Sequence, residues 1–260
     1  MWVCCRGTGR VSFDPEQIHV VPFVHETRNT KSLHFSIAEV QSSMGLAQPD
    51  ALELAYTLMM MGFLLLHPTP LRIGMIGLGG GSLAKFCYRH LPRADITVIE
   101  INPHVIALRN DFSIPADDKR FRVVRADGAR YVRAHEGAFD VLLVDGYDYD
   151  GLPGELSSKR FYDDVADCLR PSGVMAANFH LGNAEFPLLV ARIGRSFNGT
   201  VLAVEEPESG NAVVFARKDC VLTSRELEEV VRPETLETAQ WNRLQASFAR
   251  IRTALQERGA

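Results

Sequence analysis

The 260-residue chain carries four short stretches whose residue types could do chemistry. The first is Gly77-Leu78-Gly79-Gly80-Gly81-Ser82. Glycines there let the backbone turn sharply and let a ligand lie against the main chain. A helix opened by such a loop turns N–H groups toward polar or negative groups. The second is Glu100, 19 residues beyond Gly81, where a strand-end carboxylate can accept two hydrogen bonds from a ribose diol. The third is Ala126-Asp127-Gly128-Ala129. An acid there can accept a bond from an exocyclic adenine amino group while nearby amides read the ring nitrogens. The fourth is Asp145-Gly146-Tyr147-Asp148-Tyr149-Asp150, three carboxylates and two tyrosines in six positions. Carboxylates there can attract a cation and accept its proton, and Tyr147 or Tyr149 can pack on methylenes or on the cation. Each stretch also has a plainer reading: a structural turn, a surface carboxylate, an Asx turn closed by Asp127 itself, and a solvated acidic turn. The first two fit NAD-type and adenosyl-type cofactors alike.

The elements around these stretches place them. From residue 72 on, short apolar runs alternate with helical ones. The strand candidates are Arg72–Ile76, Ile96–Glu100, Phe121–Arg125, Phe139–Val144 and Val174–Phe179. Helices are expected at Ser82–His90, at Pro103–Asn110 with Asn102 as N-cap and Pro103 at the first helical position, and at Ser158–Leu169. Apolar strands joined by helical crossovers predict an α/β fold, a Rossmann-like, mostly parallel sheet with helices on both faces. Ligands on such sheets bind beyond the strands' carboxyl ends, where all four stretches fall. A further helix over 186–198 and two late strands, Val201–Glu205 and Ala212–Ala216, complete this part.

Upstream, residues 1–16 read as irregular, and 18–40 as β-rich runs around the polar turn Thr27–Lys31, a hairpin signal. Asp50 is expected to cap one apolar helix over 51–66, stopped by His67-Pro68-Thr69-Pro70. In the tail, Thr223 and Glu226 fit a capping box. There, Trp241, Leu244, Phe248, Ile251 and Leu255 repeat at spacings of three and four, the stripe of a helix docked on its own domain. The expected organisation is an N-terminal β-hairpin segment and helix (1–66), a cofactor-binding and catalytic domain (67–220) and a packed helical tail (221–260).

Composition narrows the classes. Apolar residues are 46% and charged residues 23%, and the net charge is −4, which fits a folded globular protein and gives no electrostatic reason to expect nucleic acid or an anionic membrane. The longest apolar run, Leu58–Leu66, is too short to span a bilayer. Five scattered cysteines without a CxxC pair argue against a disulfide framework or a cysteine zinc site. The start MWVCCRGTGR lacks the apolar core of a signal peptide. A cytoplasmic protein without a catalytic metal is expected, the eight histidines showing no metal spacing.

The stretch from Arg72 to Phe179, about 108 of 260 residues, resembles the polyamine aminopropyltransferases, typified by spermidine synthase, on the class I methyltransferase-like Rossmann fold. The matching runs are IGLGGGS, VIEINPHVI, DDKRFRVVRADGARYV, FDVLLVD and FYDDVADCLRPSGVMAANF, and AEVQ and LLLHPTP add a weaker upstream match. The resemblance implies that Gly77, Gly79 and Gly81 shape the cofactor loop. It also implies that Glu100 holds the ribose with Ile101 beside the adenine, and that Asp127 and Gly128 read the adenine. Asp145 falls on the family's catalytic aspartate, Asp148 on its second amine-binding aspartate, and Gln41 on a glutamine lining the cofactor pocket. By analogy with the family a homodimer is expected. The sequence also departs from the family. Gly80 stands where the family carries an aspartate that helps hold the aminopropyl amine, and the family's Tyr-His-Glu triplet falls on Ala55-Tyr56-Thr57. The loop after Asp145 lacks the usual Asp-Pro-x-Gly-Pro.

The implied chemistry is transfer of an alkyl group, aminopropyl in the family, from an adenosyl sulfonium to a small amine. The donor is S-adenosylmethionine or its decarboxylated form. Asp145 accepts the amine proton and Asp148 assists. Gly80 favours the competing reading of a methyltransferase using intact S-adenosylmethionine, and loss of the triplet motivates that of a non-catalytic cofactor-binding relative. An NAD dehydrogenase is disfavoured by the acidic loop after the fourth strand and by the lack of a clear second mononucleotide half in this sequence.

Overall fold

The computed structural model describes residues 19–36, 40–149, 151–207, 209–223 and 227–258. Residues 1–16, Ala38 and Glu39 of the AEVQ run, Asp150 and the end of the Thr223–Glu226 box lie outside the described residues. The elements run β1 (Phe23–Glu26), β2 (Thr30–His34), β3 (Ser42–Gly45), α1 (Ala55–Met60), β4 (Arg72–Ile76), α2 (Ser82–His90), β5 (Asp95–Glu100), α3 (Pro103–Ala107) and β6 (Phe121–Arg125). They continue with α4 (Gly128–Ala134), β7 (Phe139–Val144), α5 (Lys159–Cys168), β8 (Leu169–His180), α6 (Phe186–Ser196), β9 (Val201–Glu206), β10 (Asn211–Arg217) and α7 (Thr238–Arg258).

Among the described residues, seven strands form one sheet in the order β6-β5-β4-β7-β8-β10-β9. The first five are parallel, and β10 pairs antiparallel with both β8 and β9. The expected mostly parallel α/β sheet is therefore present. Both faces are covered, and β7, apolar but for Asp140, is buried at all six positions. One cluster unites α1, α2 and α7 with one sheet face, and a second unites α4, α5 and α6 with the other. The upstream hairpin signal resolves into three antiparallel strands, β1-β2-β3, whose Leu33 and Met44 join the first cluster. No described helix is long and apolar enough to cross a membrane.

The helix expected over 51–66 is instead two short pieces, α1 and a 3₁₀ segment, Met61–Leu65. Asp50 does not cap it. Its carboxylate meets Arg89 Nε at 3.0 Å and His90 Nε2 at 3.4 Å on α2, and Leu54 stands at the N-cap without a side-chain bond. The segment is squeezed from outside: a Cβ on Gly62 would lie 2.1 Å from Ile251 Cδ1 of α7 and 2.8 Å from Phe215. The tail helix α7 buries Leu244, Phe248, Ile251 and Leu255 in the same cluster as α1, while Trp241 is half-buried against it. Arg243 on α7 donates to the carbonyls of Leu52 and Glu53 at 2.8 and 2.9 Å, which fixes the entry to α1. Helix α4, capped by Asp127 two residues beyond β6, is an element the sequence does not announce.

Candidate active site

The carboxyl ends of β6, β5, β4 and β7 lie side by side, with Glu100 opposite Arg125 and Ile76 opposite both Ile99 and Val144. Each outgoing loop stays bonded to its neighbour: Gly77 N donates to Ile99 O (2.9 Å), Ala126 N to Glu100 O (3.1 Å) and Asp145 N to Ile76 O (2.9 Å). The loops therefore leave the sheet at fixed positions. They surround a cavity of about 1390 Å³, lined by Gln41, Gly77, Gly79, Glu100, Ile101, Asp127, Gly128, Asp145, Tyr147, Asp148 and Tyr149. All the sequence-singled residues except Gly81 thus share one wall system. Gly81 stands at the N-cap of α2 with φ 70°, its Cβ direction closed by Ile114 at 2.5 Å, so it shapes the turn from outside the lining.

Glu100 is 8% exposed, and both carboxylate oxygens are engaged, Oε2 by Leu78 N and Oε1 by Asn102 N, each at 2.8 Å. Burial pushes its pKa up, and the backbone N–H donors Asn102, Leu78 and Ile101 pull it back. The carboxylate thereby ties the glycine turn to the end of β5. Gly77, at φ 94°, lies against the next loop so closely that a Cβ would sit 2.1 Å from Asp145 O. Asp127 caps α4 through Oδ1, which accepts from Arg130 N at 2.9 Å. Asp148 is exposed, its backbone paired with Gly151, and Tyr149 is exposed at the rim.

Asp145 is held by two donors the sequence reading did not assign. Tyr56 Oη donates to Oδ2 at 3.1 Å and Asn178 Nδ2 to Oδ1 at 2.9 Å. Burial raises the Asp145 pKa, and the Asn178 bond, the Tyr56 bond and the field of His180 oppose it. Tyr56 is itself pushed well up, by burial first and by Asp145 second, so it keeps its proton and donates. Tyr147 is anchored where its hydroxyl accepts from His180 N (3.0 Å), the two rings 4.3 Å apart. Tyr56 was hidden inside the apolar stretch before β4. The readable signal for Asn178 was an amide at the end of the apolar run VMAANF. Tyr56→Phe removes one charged hydrogen bond, about 1.5–3 kcal/mol, so kcat is expected to fall by about ten- to a hundredfold with little change in nucleoside affinity, measured by steady-state kinetics.

Beside Asp145 opens a pocket of about 30 Å³, lined by Gln41, Ser42, Tyr56, Gly79 and Ser82 among others, room for one water-sized polar group. The Ser42 and Ser82 hydroxyls lie 3.4 Å apart at its edge. Gly80 is closed to any side chain, since a Cβ would stand 2.6 Å from Ser42 Oγ and 2.9 Å from Phe112 Cδ1. Gly80→Asp, which restores the family's usual residue, is therefore expected to destabilise the fold by about 1–3 kcal/mol, read as a lower urea midpoint.

The sheet, in this strand order and with Glu100 at the end of its second strand in sequence, has a methyltransferase-like α/β fold. Residues 53–184 match the family model described as "Spermine/spermidine synthase domain", and the chain belongs to the spermine/spermidine synthase family. It is 39% identical over 194 residues to a polyamine aminopropyltransferase of Chromobacterium violaceum, covering 74% of each chain. A second, of Neisseria meningitidis serogroup A, is 37% identical over 195 residues, again 74% of each. Among solved structures, a spermidine synthase in complex with the transition-state analogue AdoDATO superposes with a TM-score of 0.63 at 20% identity, over 95% of this chain and 97% of that one.

Proposed function

We propose that this chain transfers an aminopropyl group from decarboxylated S-adenosylmethionine to a small amine. The observation that carries this reading is Asp145, ionisable, gripped by Tyr56 and Asn178, and lining both the large cavity and the small pocket of about 30 Å³. The cavity fits the donor: Glu100 accepts the ribose hydroxyls on oxygens that the backbone already orients, Ile101 and Gly128 flank the base, and Gln41 faces the chain that leaves the sulfur. An ammonium suits the small pocket beside Asp145, whereas an added α-carboxylate there would face the Asp145 charge. The family names support aminopropyl transfer over the methyltransferase reading.

When bound, the donor supplies a carbon made electrophilic by the attached positive sulfur. An alkylamine has a pKa of about 10 and arrives protonated. Asp145 and Asp148 attract it, and Tyr147 packs along its methylenes. Asp145 takes a proton from the ammonium, and the lone pair so freed on nitrogen forms the new C–N bond. The C–S bond breaks with its electrons on sulfur, and neutral 5′-methylthioadenosine leaves. Burial, by raising the Asp145 pKa, brings it closer to that of the amine and makes it a better base. The protein's main contribution is alignment. Calorimetric titration with 5′-methylthioadenosine tests the donor half: saturable one-site binding is expected, and no heat at millimolar nucleoside rejects it. The reading includes a homodimer, to be seen as twice 28.9 kDa by light scattering.

A further inference from the structure

Behind Asp145 the sheet carries a second polar side chain in a row. Asn211 Nδ2 donates to Asn178 Oδ1 at 3.0 Å, and Asn178 Nδ2 donates to Asp145 Oδ1 at 2.9 Å. Asn178 is 4% exposed and Asn211 7%. The two asparagines meet because β10 pairs antiparallel with β8: Asn211 stands opposite His180, and Asn178 is the diagonal neighbour two residues back on the same face.

The direction of this chain is set by chemistry. An ionised carboxylate only accepts, so Asn178 must turn its NH₂ toward Asp145. Its carbonyl oxygen then points away and needs a donor, and Asn211 supplies it. With the opposite Asn178 orientation, an oxygen would face the carboxylate, and Asn211 would have to turn its own amide to avoid opposing NH₂ groups. An amide is free to take either orientation unless its neighbours choose. We infer that Asn211 is a positioning residue for the transfer reaction: it locks the Asn178 amide in the orientation that holds Asp145 ionised and aimed at the acceptor. This inference rests on the reading of Asp145 as proton acceptor. Its structural content is independent of any activity.

The groups that face Asp145 are Tyr56 from α1, Asn178 and His180 from β8, and Tyr147 from its own loop. The hydrogen bonds lead from Asn211 to the carboxylate through Asn178, and Asn211 also lines the large cavity, so an uncharged replacement read in the ligand-free chain isolates the relay. The test is the titration of the Asp145 carboxyl carbon, followed by NMR in the ligand-free full chain. Asn211→Leu keeps the branched shape at a larger volume and removes the donor, and Asn211→Gln keeps a neutral amide N–H. Leucine is expected to raise the Asp145 pKa by about one pH unit and to lower kcat about tenfold, with 5′-methylthioadenosine affinity within threefold of the parent. Glutamine is expected to leave the titration within about 0.3 unit of the parent. Should the leucine variant not fold, Asn211→Val carries the same expectation. An unmoved Asp145 titration in the apolar variant, or an equal shift with glutamine, overturns the inference. If the parent shows no aminopropyl transfer, the proposed function fails while the titration still decides the relay.

Discussion

Replacing Asp145 by asparagine is expected to cut turnover by about three orders of magnitude and, at neutral pH, to make the protein more stable. The loss follows from removing a general base, worth about 10²–10⁴ in rate. Nucleoside affinity is expected to stay within a few fold, because in the proposed site Glu100 and the glycine turn, not Asp145, hold the ribose end. The gain in stability follows from the sign of the pKa shift. Burial raises the Asp145 pKa above its unfolded value, so the folded chain binds the proton more tightly than the unfolded one. Below the unfolded pKa this costs nothing, and stability falls as pH rises through the folded pKa. At pH 7 the ionised side chain is therefore a net cost, which the amide removes while still accepting from Asn178 and pairing with Tyr56. Urea unfolding at pH 7 and pH 4 reads this directly. The difference in midpoint between variant and parent should be larger at pH 7. A variant less stable than the parent at pH 7, or one with parental turnover, contradicts this account of Asp145.

Glu100 carries the second large effect. Two backbone N–H groups, from the glycine turn and from the start of α3, converge on its two oxygens. Glu100→Ala removes both bonds and leaves two buried donors unpaired, at about 1.5–3 kcal/mol for each charge-assisted bond. The dissociation constant for 5′-methylthioadenosine is expected to rise about a hundredfold or more, with a lower unfolding midpoint. Glu100→Gln can accept only on one side, and its loss should be about tenfold. A glutamine variant as weak as alanine would mean that the charge itself holds the ribose. Unaltered affinity in alanine would remove Glu100 from the nucleoside site.

These residues differed in how plainly the sequence announced them. The glycine turn, Glu100, Asp127 and Asp145 are legible because each is a loop or end residue directly after an apolar strand. The parallel topology then forces such residues to one edge. Tyr56 and Asn178 are not legible that way. Both sit inside apolar runs, and their role depends on which strands and helices become neighbours across the sheet: Tyr56 reaches Asp145 from 89 residues away and Asn178 from 33. The broken helix over 51–66 was missed for the same reason, since Gly62 is crowded by Ile251 from the far tail. Nor does local spacing say that Gly80 is glycine because Ser42 of the small antiparallel sheet fills the space. That packing also explains why the frame around the proposed nucleoside site keeps the family resemblance more closely than the surroundings of the proposed amine site. The first is built by consecutive strand–loop–helix units, the second by the meeting of β3, α1, β8 and β10.

The donor decides between aminopropyl and methyl transfer. The most direct measurement incubates the purified chain with a panel of small amines, once with decarboxylated S-adenosylmethionine and once with the intact compound, and identifies the nucleoside released by mass spectrometry. The account expects 5′-methylthioadenosine with an aminopropylated amine from the decarboxylated donor alone. S-adenosylhomocysteine with a methylated product from the intact donor, or no nucleoside product from either, would contradict it.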